Sequence, residues 1–257
     1  MRNYLFGLIW LFLCPSAWGQ TLSNSGVYTQ PPLITLQVGG GYSLSGGDWA
    51  QRFPYYTSMQ LGATYQPVSN WMLGFEYEPL LGSAVNTEGI FDGINGDSGD
   101  LIDMFGFPAI VRAYQRGYNL RLWMGRAHDF KEKGTATWSW YGQLGLGHSQ
   151  HYIRYQFDEG QLPQLSGEYL AGYDRLSSGL QVSQRLGLQY YNNEAISFQL
   201  AFTTHQSFTQ FIRPWNYASN SADQGTKTDL AFGLHGAIII PIKLTGLKVE
   251  KEPAYFE

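Results

Sequence analysis

The segment LITLQVGGGYSL, residues 33–44, decides the fold because apolar and polar side chains alternate along it. Successive side chains of a β-strand point to opposite faces, so the pattern predicts a strand with one apolar and one polar face. A soluble sandwich hides its apolar face against a second sheet, whereas a closed barrel in lipid turns that face outward. The apolar set is Ile34, Leu36, Val38, Tyr42 and Leu44, and the polar set is Thr35, Gln37 and Ser43.

The same alternation recurs along most of the chain, with short connections alternating with long loops. The sequence therefore predicts an all-β fold, an antiparallel up-and-down transmembrane β-barrel of about eight strands over residues 33–244. A barrel this small has an interior filled by side chains. The remaining strands are expected near 55–66, 71–80, 118–126, 138–157, 179–191, 195–211 and 228–244. Residues 127–136 are expected to form a solvated turn, and 101–114 to be either a short helix or an extension of the fourth strand.

Composition agrees with this fold class. The chain has 257 residues, of which 16% are aromatic and only 14% charged, against roughly 25% charged in soluble domains. It contains no run approaching the ~18 apolar residues of a membrane helix. Aromatic girdles and few charges are typical of outer-membrane barrels.

The N-terminal sequence predicts export. Arg2, the apolar stretch 4–13 and the small residues Ala17 and Gly19 indicate a signal peptide over 1–19, followed by a periplasmic segment over 20–32. The alternative is an N-terminal anchor, for which the apolar stretch is short. The single cysteine, Cys14, lies inside the signal, and Leu13 before it argues against lipid attachment. Residues 245–257 are expected to form a charged periplasmic tail.

The processed chain would carry a net charge of −5, one more negative than the −4 of the full sequence. No basic patch stands out in the sequence, which argues against nucleic acid as a partner. The expected partners are outer-membrane lipid and lipopolysaccharide, and the expected location is the cell outer membrane.

Four charged residues fall on the predicted inward face: Glu76, Glu78, Arg121 and Arg185. Buried charges persist only when they are paired, so we expect Glu–Arg ion pairs across the lumen. One interpretation is a gated pore or proton path. The favoured one is a plug of salt bridges that closes a narrow barrel.

A second polar cluster, His148, Ser149 and His151, suggests a lipid A-modifying hydrolase as an alternative, because such an enzyme needs a serine nucleophile beside a histidine base. Ser149 and His151 share a face, but that face is predicted to be the lumen, and an acyl chain arrives from the lipid side. We favour polar lining. The five histidines show no zinc spacing, so no metal, cofactor or catalytic residue is predicted.

Two long loops, 161–178 and 208–217, are rich in residue types that are enriched at protein interfaces. They are either a docking surface on the outer face or a self-packed cap over the barrel mouth. The candidate docking residues are Tyr169, Tyr173, Arg175, Phe211, Arg213, Trp215 and Tyr217.

The signal, the glycine- and tyrosine-rich strands and loop segments such as 163–175 and 208–217 resemble uncharacterised outer-membrane barrels of the Bacteroidota, with a plan similar to the small OmpA-type barrel. Many outer-membrane barrels end on an aromatic residue of the last strand, whereas Phe256 here lies beyond the predicted strand. The resemblance implies a possible role as an accessory subunit of a secretion or barrel-assembly machine. We therefore expect a non-enzymatic structural or accessory subunit, with the lipid hydrolase and a narrow small-solute channel as alternatives.

Overall fold

Eight antiparallel strands form one closed ring in a computed structural model that describes residues 33–67, 70–96, 99–133, 136–157, 162–192, 196–222 and 225–243. The predicted signal, the segment 20–32 and the tail 245–257 lie outside the described residues. The strands are β1 (Leu33–Gly46), β2 (Tyr55–Gln66), β3 (Trp71–Gly82), β4 (Val111–Lys133), β5 (Ala136–Phe157), β6 (Ser177–Asn192), β7 (Ser197–Phe211) and β8 (Thr226–Lys243), and a four-residue helix, α1 (Gly47–Ala50), follows β1.

The ring closes because each strand pairs with the next in sequence and β1 pairs with β8, from Leu33 opposite Lys243 to Gly46 opposite Leu230. Closure leaves no free sheet edge, which lipid requires of any spanning sheet. The predicted fold class, an eight-stranded antiparallel up-and-down barrel, is confirmed. The predicted bounds of the second strand match β2 residue for residue.

The central hairpin is longer than predicted, and the expected turn over 127–136 is wrong. β4 continues to Lys133 and β5 begins at Ala136. The β4–β5 pairing includes the charged residues 131–133, with one register shift between Asp129 and Lys131. His128 therefore lies in a strand, where it pairs with Trp140. Residues 101–114 are neither a helix nor wholly an extension of the fourth strand. Residues 111–114 belong to β4, whereas 101–110 are irregular apart from an isolated bridge between Ile102 and Pro108.

The two faces of the barrel are reversed relative to a soluble protein. Leu122, Leu146 and Leu234 on the outer face are 66%, 62% and 63% exposed, whereas Glu76 and Gln181 on the inner face are fully buried. An apolar exterior around a polar, closed interior is stable in lipid and not in water.

Aromatic pairs lie near both ends of the apolar band. Tyr42 and Tyr55 are 5.7 Å apart between ring centroids toward the long-loop end, and Trp138 and Tyr190 are 4.9 Å apart toward the short-turn end. Such girdles mark the two interfaces of a transmembrane barrel. The protein is an outer-membrane β-barrel, as its sequence predicts.

None of the described helices is long and apolar enough to cross a membrane.

Candidate functional site

The structure brings the four predicted lumen charges together in one cluster. Glu76 lies directly opposite Arg121 in the β3–β4 register, and their side chains meet at 2.5 Å between Oε1 and Nη2. The same Nη2 contacts Glu78 Oε2. Arg185 reaches across the lumen from β6 and places Nη1 2.8 Å from Glu76 Oε2. All four side chains are almost or wholly inaccessible, and their formal charges sum to zero.

Neutral polar side chains add further hydrogen bonds to this cluster. Glu78 accepts a hydrogen bond from Ser58 Oγ at 2.6 Å and another from Asn119 Nδ2 at 2.9 Å. Arg185 Nε donates to Thr203 Oγ1 at 3.3 Å. Buried charges are tolerated when both partners and hydrogen bonds are present, and each charge of this cluster has an opposite partner. Among the described residues, Arg121 Nε has no hydrogen-bond partner, and Glu76 Oε2 has only its ion-pair contact with Arg185.

An aromatic side chain supports the same cluster. The ring of Trp123 lies 4.2 Å from Arg185 Cζ and 5.4 Å from Arg121 Cζ, measured to its centroid. Both distances are within the range of cation–π attraction. Gly145 on the neighbouring strand provides the space, because a Cβ there would come within 2.7 Å of the indole. The sequence placed Trp123 on the inward face but gave no indication of this contact.

Two histidines adjoin the cluster. Within the described residues, Glu78, His205 and His235 form a group whose candidate ligand atoms lie within 4.8 Å of one another. Arg121 Nη1, however, lies 3.2 Å from both ring nitrogens of His205, and Gln60 Nε2 lies 2.7 Å from His235 Nδ1. A divalent cation would have to sit against a guanidinium already bound to Glu78. We therefore assign these side chains to the polar lining.

The polar residues suggested for a hydrolase are divided between the two faces of β5. His148 points outward and pairs its Nε2 with Ser178 Oγ at 2.7 Å. His151 points inward, 3.1 Å from Asp229 Oδ2, under a stacked Trp49 ring at 5.1 Å between centroids. Ser149 Oγ is buried and has no hydrogen-bond partner among the described residues. Ser149, the predicted nucleophile, therefore lacks the histidine contact that nucleophilic catalysis needs.

An apolar cluster, which we call the cap, closes the long-loop end of the lumen. It combines the α1 region with residues from the loops after β3 and β5 and from the adjoining strand ends. Its apolar members are Trp49, Phe53, Tyr56, Leu80, Ile90, Leu101, Ile153, Tyr155, Leu162, Leu165, Tyr173 and Ala231. Sequence reasoning missed most of the cap because loop residues have no periodic pattern; the density of apolar residues in these loops was the one signal.

Several of the candidate docking residues contact other residues of the long loops. Arg213 forms an ion pair with Asp174, its Nε 3.1 Å from Oδ2, and this hydrogen bond raises the pKa of Arg213. Tyr173 packs its ring 5.5 Å from that of Tyr217, and burial raises the pKa of Tyr173. Tyr173 and Phe211 are buried, Arg175 and Arg213 are half-buried, and Tyr169, Trp215 and Tyr217 are exposed. Packing among the loops thus leaves Tyr169, Trp215 and Tyr217 as the exposed members of the set.

No family model matches the chain, and no curated protein matches it. Solved structures do match at low identity. Neisserial surface protein A aligns with a TM-score of 0.41 and 8% identity over 80% of this chain and 96% of its own. The attachment invasion locus protein Ail of Yersinia pestis aligns with a TM-score of 0.40 and 10% identity over 82% and 100%. The outer membrane protein OprG of Pseudomonas aeruginosa aligns with a TM-score of 0.41 and 14% identity over 84% and 97%.

Proposed function

We propose that this protein is a non-enzymatic outer-membrane barrel that serves as a structural or accessory subunit of an envelope machine, for secretion or for barrel assembly. It docks to its partner through the exposed parts of its long loops. The observation that carries the proposal is the lumen, where Glu76, Glu78, Arg121 and Arg185 are buried and paired with one another. These paired charges fill the lumen and stabilise the barrel. Interaction with a partner would therefore involve the outer surface of the molecule.

Two features of the lumen, the charge cluster and the cap, support the proposal that solutes do not pass through the barrel. The charge cluster crosses the lumen from β3 to β6, and the cap lies between it and the extracellular medium. A narrow channel would need both the cluster and the cap to move. In planar bilayers we therefore expect no stepwise current from the purified barrel; a reproducible single-channel conductance would contradict this part of the proposal.

The docking surface is supported by exposed aromatic side chains at the loop end. Tyr169 and Tyr217 lie 6.4 Å apart between ring centroids, and Trp215 is nearby in sequence and also exposed. In the loop after β3, Asp103 Oδ1 accepts backbone hydrogen bonds from Phe105 and Phe107, both at 2.9 Å, and this holds an exposed apolar tip. Fixed aromatic side chains are typical anchors of protein interfaces. The resemblance to barrels of the Bacteroidota supports the same class of partner.

Affinity purification from native membranes in mild detergent tests the docking claim. We expect a partner to co-purify with the wild type and to be lost from a Trp215→Ser/Tyr217→Ser variant. The control is Glu168→Gln, an exposed change beside Tyr169 that removes no aromatic surface. Repeated recovery of the wild-type barrel alone would refute docking.

Lipid A from a deletion strain tests the claim that the protein is not an enzyme. Because Ser149 Oγ lies buried in the lumen, we expect the mass spectrum of lipid A to be the same with and without the gene. A missing acyl or headgroup modification in the deletion strain would favour the hydrolase instead.

A further inference from the structure

Three arginines, two from β4 and one from β5, lie together on the outer face of the β4–β5 hairpin. In its register Tyr114 is opposite Arg154, Arg116 is opposite Tyr152, and Arg112 is opposite Gln156. Diagonal neighbours on one face of an antiparallel pair are about 7–8 Å apart. Arg116, Arg154 and Arg112 therefore form a zigzag, which we call the arginine ladder.

The ladder points away from the lumen. Positions 112, 114 and 116 continue the even-numbered face of β4 that exposes Leu120, Leu122 and Met124, whereas Gln115 and Asn119 between them are fully buried. Arg112 and Arg154 are exposed and Arg116 is half-buried. The ladder is thus on the face that meets lipid lower down the same strands.

The height of the ladder follows from strand geometry. We take Tyr118 and His128 as the two ends of the apolar band on β4. They are ten residues apart, and His128 lies opposite Trp140, near the aromatic residues of the short-turn end. At about 3.3 Å per residue and a tilt of about 40°, these ten residues span about 25 Å along the membrane normal, the height of the apolar band of such barrels. Arg116 then lies about 5 Å, Arg154 about 10 Å and Arg112 about 15 Å beyond Tyr118 by the same conversion. The headgroup layer is about 5–7.5 Å thick on each side of the hydrocarbon core, so Arg116 lies within it and Arg154 and Arg112 lie just beyond it.

The arginine of the ladder that lies nearest the apolar band, Arg116, is already fixed in place. Arg116 Nη1 donates to Gln115 O at 2.7 Å and to Gly82 O at 3.3 Å, and its guanidinium lies 5.2 Å from the ring of Tyr114. Those two bonds use the hydrogens of Nη1 and leave its other N–H donors for an anion. A rigid guanidinium loses little entropy on binding and matches the geometry of a phosphate.

We propose that Arg112, Arg116 and Arg154 bind the phosphates of an anionic lipid headgroup in the outer leaflet. The charges are complementary, because the ladder concentrates three cations on one lipid-facing sector of a chain whose net charge is −4. The position of the ladder favours a lipid as the source of the phosphates. The ladder continues the apolar face of the barrel toward the long-loop end, so a lipid whose acyl chains pack on Leu120 and Leu122 would place its phosphates beside the arginines. Two tyrosines between the arginines provide further hydrogen-bonding groups at the same level.

Native mass spectrometry of the folded barrel in detergent tests this, with diphosphoryl lipid A and its dephosphorylated form as probes. We expect wild-type protein to retain the diphosphoryl form at least about tenfold better than the dephosphorylated one, since charge-assisted bonds to phosphate account for the binding. The variant Arg116→Gln/Arg154→Gln should lose about tenfold in affinity for the diphosphoryl form. The matched control, Arg126→Gln/Lys131→Gln, removes two positive charges at the opposite end of β4 and should bind as the wild type does.

Heat-modifiable migration on gels shows that each variant is folded, and Arg154→Gln alone, at an exposed position, carries the test if the double variant does not fold. The proposal is overturned if the ladder variant binds within twofold of the wild type, or if the control weakens binding equally. Displacement of the lipid by an equal concentration of inorganic phosphate would also overturn it, because the site would then recognise free phosphate.

Discussion

Replacing Arg121 by methionine tests whether the lumen cluster stabilises the barrel. Arg121 contacts both buried carboxylates, whereas Arg185 contacts only Glu76. In Arg121→Met, Glu76 keeps Arg185 but Glu78 loses the cation that it contacts directly. Removing one partner of a buried ion pair costs about 3–5 kcal/mol, so we expect the free energy of unfolding to fall by that amount. Arg185→Met leaves Glu76 bound to Arg121 and removes charge-assisted hydrogen bonds worth about 2 kcal/mol.

The assay is urea unfolding in detergent micelles, followed by tryptophan fluorescence. The double variant Glu78→Gln/Arg121→Met removes the uncompensated carboxylate and should recover part of the loss, since the one amide oxygen can still accept from either Ser58 or Asn119. A double-mutant cycle over these variants measures the coupling between the two side chains. If Arg121→Met costs less than about 1 kcal/mol, far below the range for an uncompensated buried charge, or less than Arg185→Met, the assignment of Arg121 as the centre of the cluster is wrong.

Three further predictions concern the loop end. Gly172→Ala would place a Cβ 1.7 Å from Tyr217 Cδ2, so the ring must move and we expect faster proteolysis of residues 212–222. Asp174→Asn breaks the ion pair with Arg213 and should have the same effect. Because the raised pKa of Arg213 keeps its charge in place until pH rises through that value, wild-type protection should be equal at about pH 6 and about pH 9. Trp49→Ala removes the ring stacked on His151 and Tyr56 and should cost about 3–5 kcal/mol, yet leave planar bilayers without current because the charge cluster is intact.

The barrel itself could be predicted because its information is local. A period of two assigns every residue of a strand to one face, so Glu76, Arg121 and Trp123 were placed inward from the sequence alone. A one-residue error in register would have exchanged the two faces. The alternation also gave the number of strands, since each short turn or long loop interrupts it.

Features that depend on pairing between distant segments could not be predicted. The charged run 131–133 was interpreted as a turn because its composition is typical of one, but the partner strand that extends β4 lies beyond it. The arginine ladder was missed for the same reason: Arg154 becomes a neighbour of Arg112 and Arg116 only through the β4–β5 register. The sequence, with its negative net charge, gave no indication of this local group of cations.

The distribution of charge between the two faces of the barrel restricts where recognition can occur. Inside, every cation of the cluster is matched by a carboxylate, so Arg121 and Arg185 have no charge left to offer a ligand. Outside, the contacts of Arg116 with the described residues are two neutral backbone carbonyls and a tyrosine ring, which do not compensate its positive charge. An anion therefore gains more at the outer face than in the lumen, where it would have to displace a carboxylate that is already desolvated. The eight-stranded ring thus uses its inner charges for stability and presents its outer charges for recognition.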